Sequence, residues 1–530
     1  MWLAHAVRRR RLLAPGAPAL ADETRTLTWR ELDDRTDALA CGLLGRGLVP
    51  GDRFALLSRN RLEVIELYVA AAKAGLVVCP VNPTFPAPEV EHIVANVSPA
   101  CVIADAAAAR RLGDALGGGT RIALDSPEFE ELYAAAPRPL PLPDRDDVFA
   151  VVHTSATSGR AKGVALTHRA IAAGYTATVA DFGFTADDVM LYPCPLFHGS
   201  MVVSLALLAA GGTLVVQGDF TPQRFLACVE RFGVTTTFMV PSMIRFTLQA
   251  KAFGTTDLSS LREIVFGGSP MPEPLLRETV RRFGVPVRNS YGLSEGGPIG
   301  TALYTADGGD PVSSSGRMLP GCHIEILDER GERLPYGETG EVCVRGDGTM
   351  RGYWNDPEAT TRSLRDGWLR TGDLGRMTED GLIHLVDRVG DVIIRGGQNV
   401  YPAEIERVLA TVPGVRDVAV VAAPSEEWGQ VPVAFVVADP ERTPTLPELI
   451  SACAAQLGSY KRPAAVRFTE EIPRNAAGKI LRRVLKELLP GAGPAHPAPA
   501  DPASEDRAAA DPASADRVPA AARPVAAAGV

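Results

Sequence analysis

The alternation of short apolar runs with amphipathic stretches, each closed by glycine, constrains this chain more than any other feature. Residues 54–57 follow the turn Pro50-Gly51-Asp52 and read as a strand. Residues 62–74 have the apolar spacing of a helix, Gly75 stops it, and residues 76–81 return to a strand. Ahead of them, Thr28 and Glu31 stand at capping-box spacing, so a helix begins there, with Leu32, Leu39 and Leu43 on one face and Gly45 and Gly47 at its end. Strand, helix and strand in that order predict a parallel sheet with covering helices. The pattern resumes with strands at 148–152, 214–216, 235–240 and 264–266. The fold class is therefore α/β, with a large N-terminal domain of doubly wound sheets.

In such sheets ligands collect beyond the carboxyl ends of the strands, where the loops converge. Three loops qualify: 154–163, 267–270 and 291–295. The first carries Thr154, Ser155, Thr157, Ser158, Gly159 and Lys162, a set of hydroxyls, flexible backbone and one cation that suits phosphate oxygens. Its spacing is not that of a Walker loop, which needs Gly-Lys-Ser/Thr opening a helix. A second glycine-bracketed lysine, Lys479, lies in Pro473-Arg474-Asn475-Ala476-Ala477-Gly478-Lys479. Two such lysines more than three hundred residues apart suit a polyphosphate held by one domain and capped by another.

The remaining chain divides by character. Residues 324–344 alternate in short strands joined by glycine turns, and Asp380-Gly381 marks a hairpin, so a small antiparallel or β-barrel-like unit is expected here. After Arg388-Val389-Gly390-Asp391 come a helix from Ala403, strands at 418–422 and 433–437, and a helix from Leu446, a compact α+β domain. The expected boundaries are 1–389, then 390–489 with Gly390 at the joint, then a Pro/Ala-rich tail, 490–530, whose composition cannot bury enough apolar surface to order itself.

With 530 residues, 46% of them apolar and 22% charged, the chain has the make-up of a soluble globular protein with more than one core. A net charge of −9 without a basic stripe argues against a nucleic-acid partner. The four arginines at 8–11 read as a solvated helix face, and the segment after them is broken by Pro15, Gly16 and Pro18, a poor signal-peptide core. No apolar run reaches transmembrane length; 201–216 reads as a buried helix followed by a strand. Eight cysteines without Cys-x-x-Cys spacing offer neither a zinc site nor a disulfide framework, which fits a reducing cytoplasm.

Taken in order, these motifs resemble the adenylate-forming (AMP-binding) superfamily, in its acyl-CoA synthetase branch, from about Thr28 to Arg483; Tyr291-Gly292-Leu293-Ser294-Glu295 and Leu369-Arg370-Thr371-Gly372-Asp373 carry the resemblance most strongly. It implies activation of a carboxylic acid by ATP as acyl-AMP with release of pyrophosphate, followed by transfer to the thiol of CoA. It further implies that Lys162 and its loop hold the pyrophosphate half, Ser294 the α-phosphate, and Glu295 a Mg²⁺ ion. Asp373 and Arg388 would take the ribose, Tyr291 and Asn289 the adenine, with Gly268 and Gly292 also on the nucleotide, and Lys479 the substrate carboxylate together with the α-phosphate. The sequence departs from the family at Ala156 (usually glycine), Ala161 (often proline) and the joint residue Gly390 (usually Asp or Lys).

His198 stands where amino-acid-activating relatives place an aspartate, so an α-amino acid is not expected. By family position the acyl pocket would comprise Met201, Phe238, Met239, Gly267, Ser290 and Ile299, apolar or small and with no arginine for a second carboxylate. A medium- or long-chain fatty acid is the first expectation and an aryl acid the second. Arg395-Gly396-Gly397 resembles the CoA region of the ligases. Transfer to a separate acyl-carrier protein, a non-catalytic nucleotide-binding homologue, and a homodimer all stay open at this point.

Overall fold

The computed structural model describes residues 2–117, 119–154, 161–199, 201–297, 300–304, 314–474, 480–489 and 496–497. Its N-terminal part is built on two large sheets. The seven-stranded one runs Gly352–Tyr353, Lys162–Thr167, Val148–Thr154, Val77–Val81, Arg53–Leu57, Cys101–Ala104 and Thr120–Ala123. Its centre is parallel, as strand-helix-strand order requires, with Phe54 opposite both Val78 and Cys101. The helix Trp29–Gly45 is capped as the sequence predicts: Thr28 accepts from Glu31 N–H and the Glu31 carboxylate accepts from Thr28 N–H at 2.7 Å. Leu62–Ala74 ends where Gly75 takes a left-handed φ of 67°.

One edge departs from the parallel expectation. Val148–Thr154 pairs antiparallel with Lys162–Thr167, closing a ladder from Val148↔Thr167 to Thr154↔Lys162. The seven residues between these strands are too few for a crossover, which needs a dozen or more, so the chain can only fold back as a hairpin.

The nine-stranded sheet places Val189–Tyr192, Thr236–Met239, Glu263–Gly267 and Val287–Tyr291 side by side and parallel, so their C-terminal ends meet at one rim. Both sheets feed a single core: Phe54, Leu56 and Val152 from one, Tyr192, Phe238 and Val265 from the other, with the helices Leu62–Ala74 and Met201–Ala210 packed into it. All thirteen residues of Leu62–Ala74 are buried. A helix without a wet face must be apolar or have its charges paired. Leu62, Ile65 and Leu67 each contribute about 1.5–3 kcal/mol by leaving water. Glu66 pairs with Arg35 at 2.5 Å, and Lys73 Nζ lies 2.7 Å from both Asp33 Oδ1 and Asp37 Oδ1.

Next comes a five-stranded antiparallel sheet, with Cys322–Leu327 paired to Gly340–Gly346, that strand to Trp368–Met377, and Trp368–Met377 in turn to Ile383–Arg388 around the Asp380-Gly381 turn. The C-terminal unit pairs Val415–Ser425 with Gly429–Ala438. Strand alternation sends Val418 and Val420 to the helices Pro402–Ala410 and Leu446–Gln456, and Ala419 and Val421 to Leu485 and Ile472. Of the tail at 490–530 only His496–Pro497 are described, and they pair with Ala465–Val466 at the edge of this sheet. All eight cysteines are free thiols. Among the described residues no helix is long and apolar enough to cross a membrane.

Replacing Lys73 with Met would leave Asp33 and Asp37 with only the partly exposed Arg8 and Arg11 as cations. Removing one partner from a buried charge network costs about 3 kcal/mol. Chemical denaturation of Lys73→Met should show that loss in the first unfolding transition.

Candidate active site

The rim of the nine-stranded sheet gathers many of the residues singled out in the sequence. Gly267 ends its strand opposite Ser290, and a Cβ there would lie 2.7 Å from Ser290 O and 3.2 Å from the Phe238 ring, so only glycine lets these strands close on that phenylalanine. Phe238 stacks on Tyr192 with centroids 6.1 Å apart. Gly268 follows with φ 81°. Met201 is the first residue of its helix and is buried in the same core as Phe238. Met239 is not brought to this group: consecutive strand residues face opposite ways, and it packs with Leu191, Ile244 and Phe266 on the other side of the sheet. Ile299 lies outside the described residues.

Asn289, Tyr291, Gly292 and Ser294 follow along the next strand and its turn. The Asn289 amide donates to Ser314 O at 3.1 Å, which orients it. The Tyr291 hydroxyl donates to Asp373 Oδ2 at 2.8 Å, and Arg388 Nε lies 2.8 Å from Asp373 Oδ1, so this carboxylate is held from both sides. The backbone beneath it is set by Glu341, which accepts from Gly372 N–H at 2.9 Å while pairing with Arg370 at 3.0 Å. Burial, and then the adjacent Asp373, push the Tyr291 phenol well above its ordinary range, so it stays a donor.

Glu295 is different. Its carboxylate accepts from the Tyr353 hydroxyl at 3.1 Å and has no ion pair among the described residues. Burial pushes its pKa up, and the Tyr353 hydroxyl opposes that. A desolvated carboxylate short of positive charge fits a hard cation that takes its other ligands from a substrate. Among the described residues there is no group of three or more His, Cys, Asp or Glu that could hold a metal ion.

Thr154 and Lys162 face each other at the base of the hydroxyl-rich loop. Ser155, Thr157, Ser158 and Gly159, with Ala156, lie outside the described residues, as does Lys479. Ala161 is buried, and its carbonyl lies 3.2 Å from His92 Nε2. Lys162 Nζ sits 5.0 Å from the centroid of the Tyr353 ring. The loop bearing His198 packs against the Ser294 turn so closely that a Cβ at Gly199 would fall 2.6 Å from Ser294 Oγ. His198 Nε2 is buried without a hydrogen-bond partner among the described residues, and burial holds the imidazole down to about 4, so it is neutral at pH 7.

On the C-terminal unit, Gly396 and Gly397 have φ of 56° and 80° and form the two-residue turn between Ile393–Arg395 and Gln398–Val400, where both positions need a positive φ. The Arg395 guanidinium lies 5.4 Å from the Trp428 ring and donates to Tyr460 O. A Cβ at Gly390 would meet nothing within 4 Å, so larger residues are sterically admissible at that position.

Sequence reasoning missed Tyr353, Glu341, Asn60 and Tyr68. Asn60 bonds both Cys194 O and Leu196 N–H, and the Tyr68 hydroxyl donates to Leu196 O, so these two side chains tie down the loop that leads to His198. No local pattern marks any of the four, because each acts on a partner 31 or more residues away.

With this geometry, the comparisons with known proteins agree on one class. The AMP-binding enzyme family matches residues 7–354, and the AMP-binding enzyme C-terminal domain matches residues 404–479. The chain belongs to this family of adenylate-forming, acid-activating enzymes. It is 35% identical over 506 residues to a fatty acid–[acyl-carrier-protein] ligase, ScoC, of Streptomyces coeruleorubidus, covering 89% of this chain and 93% of that one. It is 36% identical over 478 residues to a feruloyl-CoA synthase of an Amycolatopsis species, covering 89% and 96%. The crystal structure of ATP-bound MatB from Rhodopseudomonas palustris superposes with a TM-score of 0.85 at 30% identity, covering 92% of this chain and 99% of that one.

Asp387 supplies a test of the electrostatics beside this site. It accepts from Ala403 N–H at 3.0 Å, tying the end of Ile383–Arg388 to the first turn of Pro402–Ala410, and burial pushes its carboxyl up to about 6. The native state therefore binds this proton more tightly than the unfolded chain, whose value stays near the ordinary 3.8. Stability falls as pH rises through the interval between those values and is level above about 6. In Asp387→Asn that component should vanish: melting curves should show the parent losing ground to the variant as pH rises from 4 to 7.

Proposed function

We propose that this chain is an acyl-CoA synthetase that activates a monocarboxylic acid, first choice a medium- or long-chain fatty acid, as acyl-AMP and then transfers the acyl group to the thiol of CoA. The observation that carries the reading is the half-buried Glu295 carboxylate, without an ion pair among the described residues, which shares its neighbour Tyr353 with Lys162 and lies at the same rim as the clamped Asp373. One group calls for a cation, one offers a cation, and the third is held ready to accept hydroxyl donors. MgATP supplies all three complements.

In this reading Asp373, fixed by Tyr291 and Arg388, accepts the ribose hydroxyls. Asn289, Gly268 and Gly292 border the adenine. Lys162, with Thr154, Ser155, Thr157, Ser158 and Gly159, neutralises the leaving pyrophosphate, and Ser294 donates to the α-phosphate. Glu295 would hold Mg²⁺, which when bound neutralises phosphate charge as it shifts to the leaving group. The acid's carboxylate attacks the α-phosphorus in line, and Lys479 steadies the two anions that would otherwise repel.

His198 is neutral and offers no carboxylate to an ammonium group, while Phe238, Met201, Gly267 and Ser290 line the acyl side without a charge. For the second half-reaction, Arg395 with Gly396 and Gly397 would border the entry of the CoA thiol, with the C-terminal unit turning about Gly390. A carrier-protein thiol is the second reading, favoured by the similarity to the fatty acid–[acyl-carrier-protein] ligase.

A panel of fatty and aryl acids assayed for ATP–pyrophosphate exchange, then for thioester with CoA or with a phosphopantetheinylated carrier protein, tests this. Exchange with medium- or long-chain acids and thioester with CoA are expected; thioester on the carrier protein alone selects the second reading. No exchange with any acid despite ATP binding would leave a non-catalytic homologue. Lys479→Ala should lower acyl-AMP formation by at least about 100-fold, as expected for loss of an electrostatic contact made to the transition state. It should largely spare thioester formation from supplied acyl-AMP. Gly390→Pro should spare at most one half-reaction, because proline fixes the φ that turning requires.

A further inference from the structure

The segment from Met350 to Trp354 joins the two charged elements of the site. Met350 N–H donates to Glu295 O at 2.8 Å, while Arg351 N–H donates to Ala165 O and Trp354 N–H to Gly163 O on the strand that begins at Lys162. Its position is locked from outside: Tyr353 N–H donates to Thr360 Oγ1 at 2.8 Å, and a Cβ at Gly352 would fall 2.8 Å from Thr360 Cγ2. Only one side chain of the segment touches both charges. The Tyr353 hydroxyl donates to Glu295 Oε1, and its ring lies 5.0 Å from Lys162 Nζ.

We propose that Tyr353 is a positioning residue that keeps the Lys162 ammonium and the Glu295 carboxylate apart in the free enzyme. A lysine on a four-carbon stem that contacts the same ring as a half-buried carboxylate of opposite charge would otherwise close on that carboxylate, because Coulomb attraction strengthens as water is excluded. Such a pair would consume both the cation meant for phosphate and the carboxylate meant for a metal. The ring holds the ammonium by its quadrupole, a weak interaction that phosphate oxygens readily replace. The hydroxyl satisfies one lone pair of the carboxylate and leaves the others for a cation. No ion pair joins Lys162 to Glu295, although both contact this one residue.

This inference rests on the assignment of Lys162 to phosphate and Glu295 to Mg²⁺ above, and the test separates the two. The full-length chain is titrated with ATP by calorimetry, in EDTA and across a MgCl₂ series, for the parent and for Tyr353→Phe, Tyr353→Leu, Glu295→Gln, Lys162→Ala and the double variant Tyr353→Leu/Glu295→Gln. Tyr353→Phe keeps the ring, so ATP binding in EDTA should stay within about twofold. It loses the hydrogen bond that orients the carboxylate, and losing such an outer partner of a metal ligand costs about 10- to 100-fold in metal affinity, so the Mg²⁺ needed for half-maximal tightening should rise about tenfold. Tyr353→Leu should weaken ATP in EDTA about tenfold, as Lys162 closes on Glu295. Adding Glu295→Gln removes the attractor, and the double variant should bind ATP in EDTA within about threefold of Glu295→Gln alone. A merely structural role for the ring predicts no such recovery. The proposal is overturned if the double variant binds as poorly as Tyr353→Leu, or if Tyr353→Phe follows the parent across the MgCl₂ series. If Lys162→Ala leaves ATP binding in EDTA untouched, the nucleotide assignment fails, and the spacer fails with it.

Discussion

Two helices with no wet face, Leu62–Ala74 and Met201–Ala210, set the terms for the rest of the molecule. Neither offers solvent a polar face, so each must be covered, and the two large sheets both contribute to the core that covers them. That packing aligns strand ends from distant parts of the chain at a common rim. It also brings Tyr68 and Asn60 against Cys194 and Leu196, so the loop leading to His198 is fixed by side chains from the other half of the core. Cohesion and placement of the site share one cause.

Within the site, the acidic groups are treated in opposite ways. Asp373 receives a phenol and a guanidinium and needs nothing further to be stable. Glu295 receives one hydroxyl and remains electrostatically underpaid, with its pKa raised by burial. Such a deficit costs folding free energy, and it is what gives a site affinity for a cation. The same logic leaves Lys162 over a ring rather than in an ion pair.

Among the described residues, polar contacts join the C-terminal unit to the large domain: Asp387 accepts from Ala403 N–H, and Arg245 donates to Arg416 O at 2.9 Å. Polar contacts of this kind can be exchanged with water at little net cost, unlike a continuous apolar seam. In the proposed reading Lys479 would serve one half-reaction and withdraw for the next, which an interface of that sort would allow.

The large helices, most strands and the glycine stops were legible in the sequence because they follow from short-range rules: apolar period, caps, and the φ that only glycine accepts cheaply. Thr28 with Glu31 and Gly75 at the end of Leu62–Ala74 stand where those rules put them. The motif residues at the rim were legible too, through their resemblance to a family. What tertiary structure alone decided is who touches whom: the exile of Met239 to the far face, the clamp on Asp373, and Tyr353 in contact with both Lys162 and Glu295. Local propensity speaks for neighbours in the chain. Hydrogen bonds and charge contacts between residues separated by tens to hundreds of positions exist only after burial has chosen the register of the sheets, and no window of sequence contains that choice.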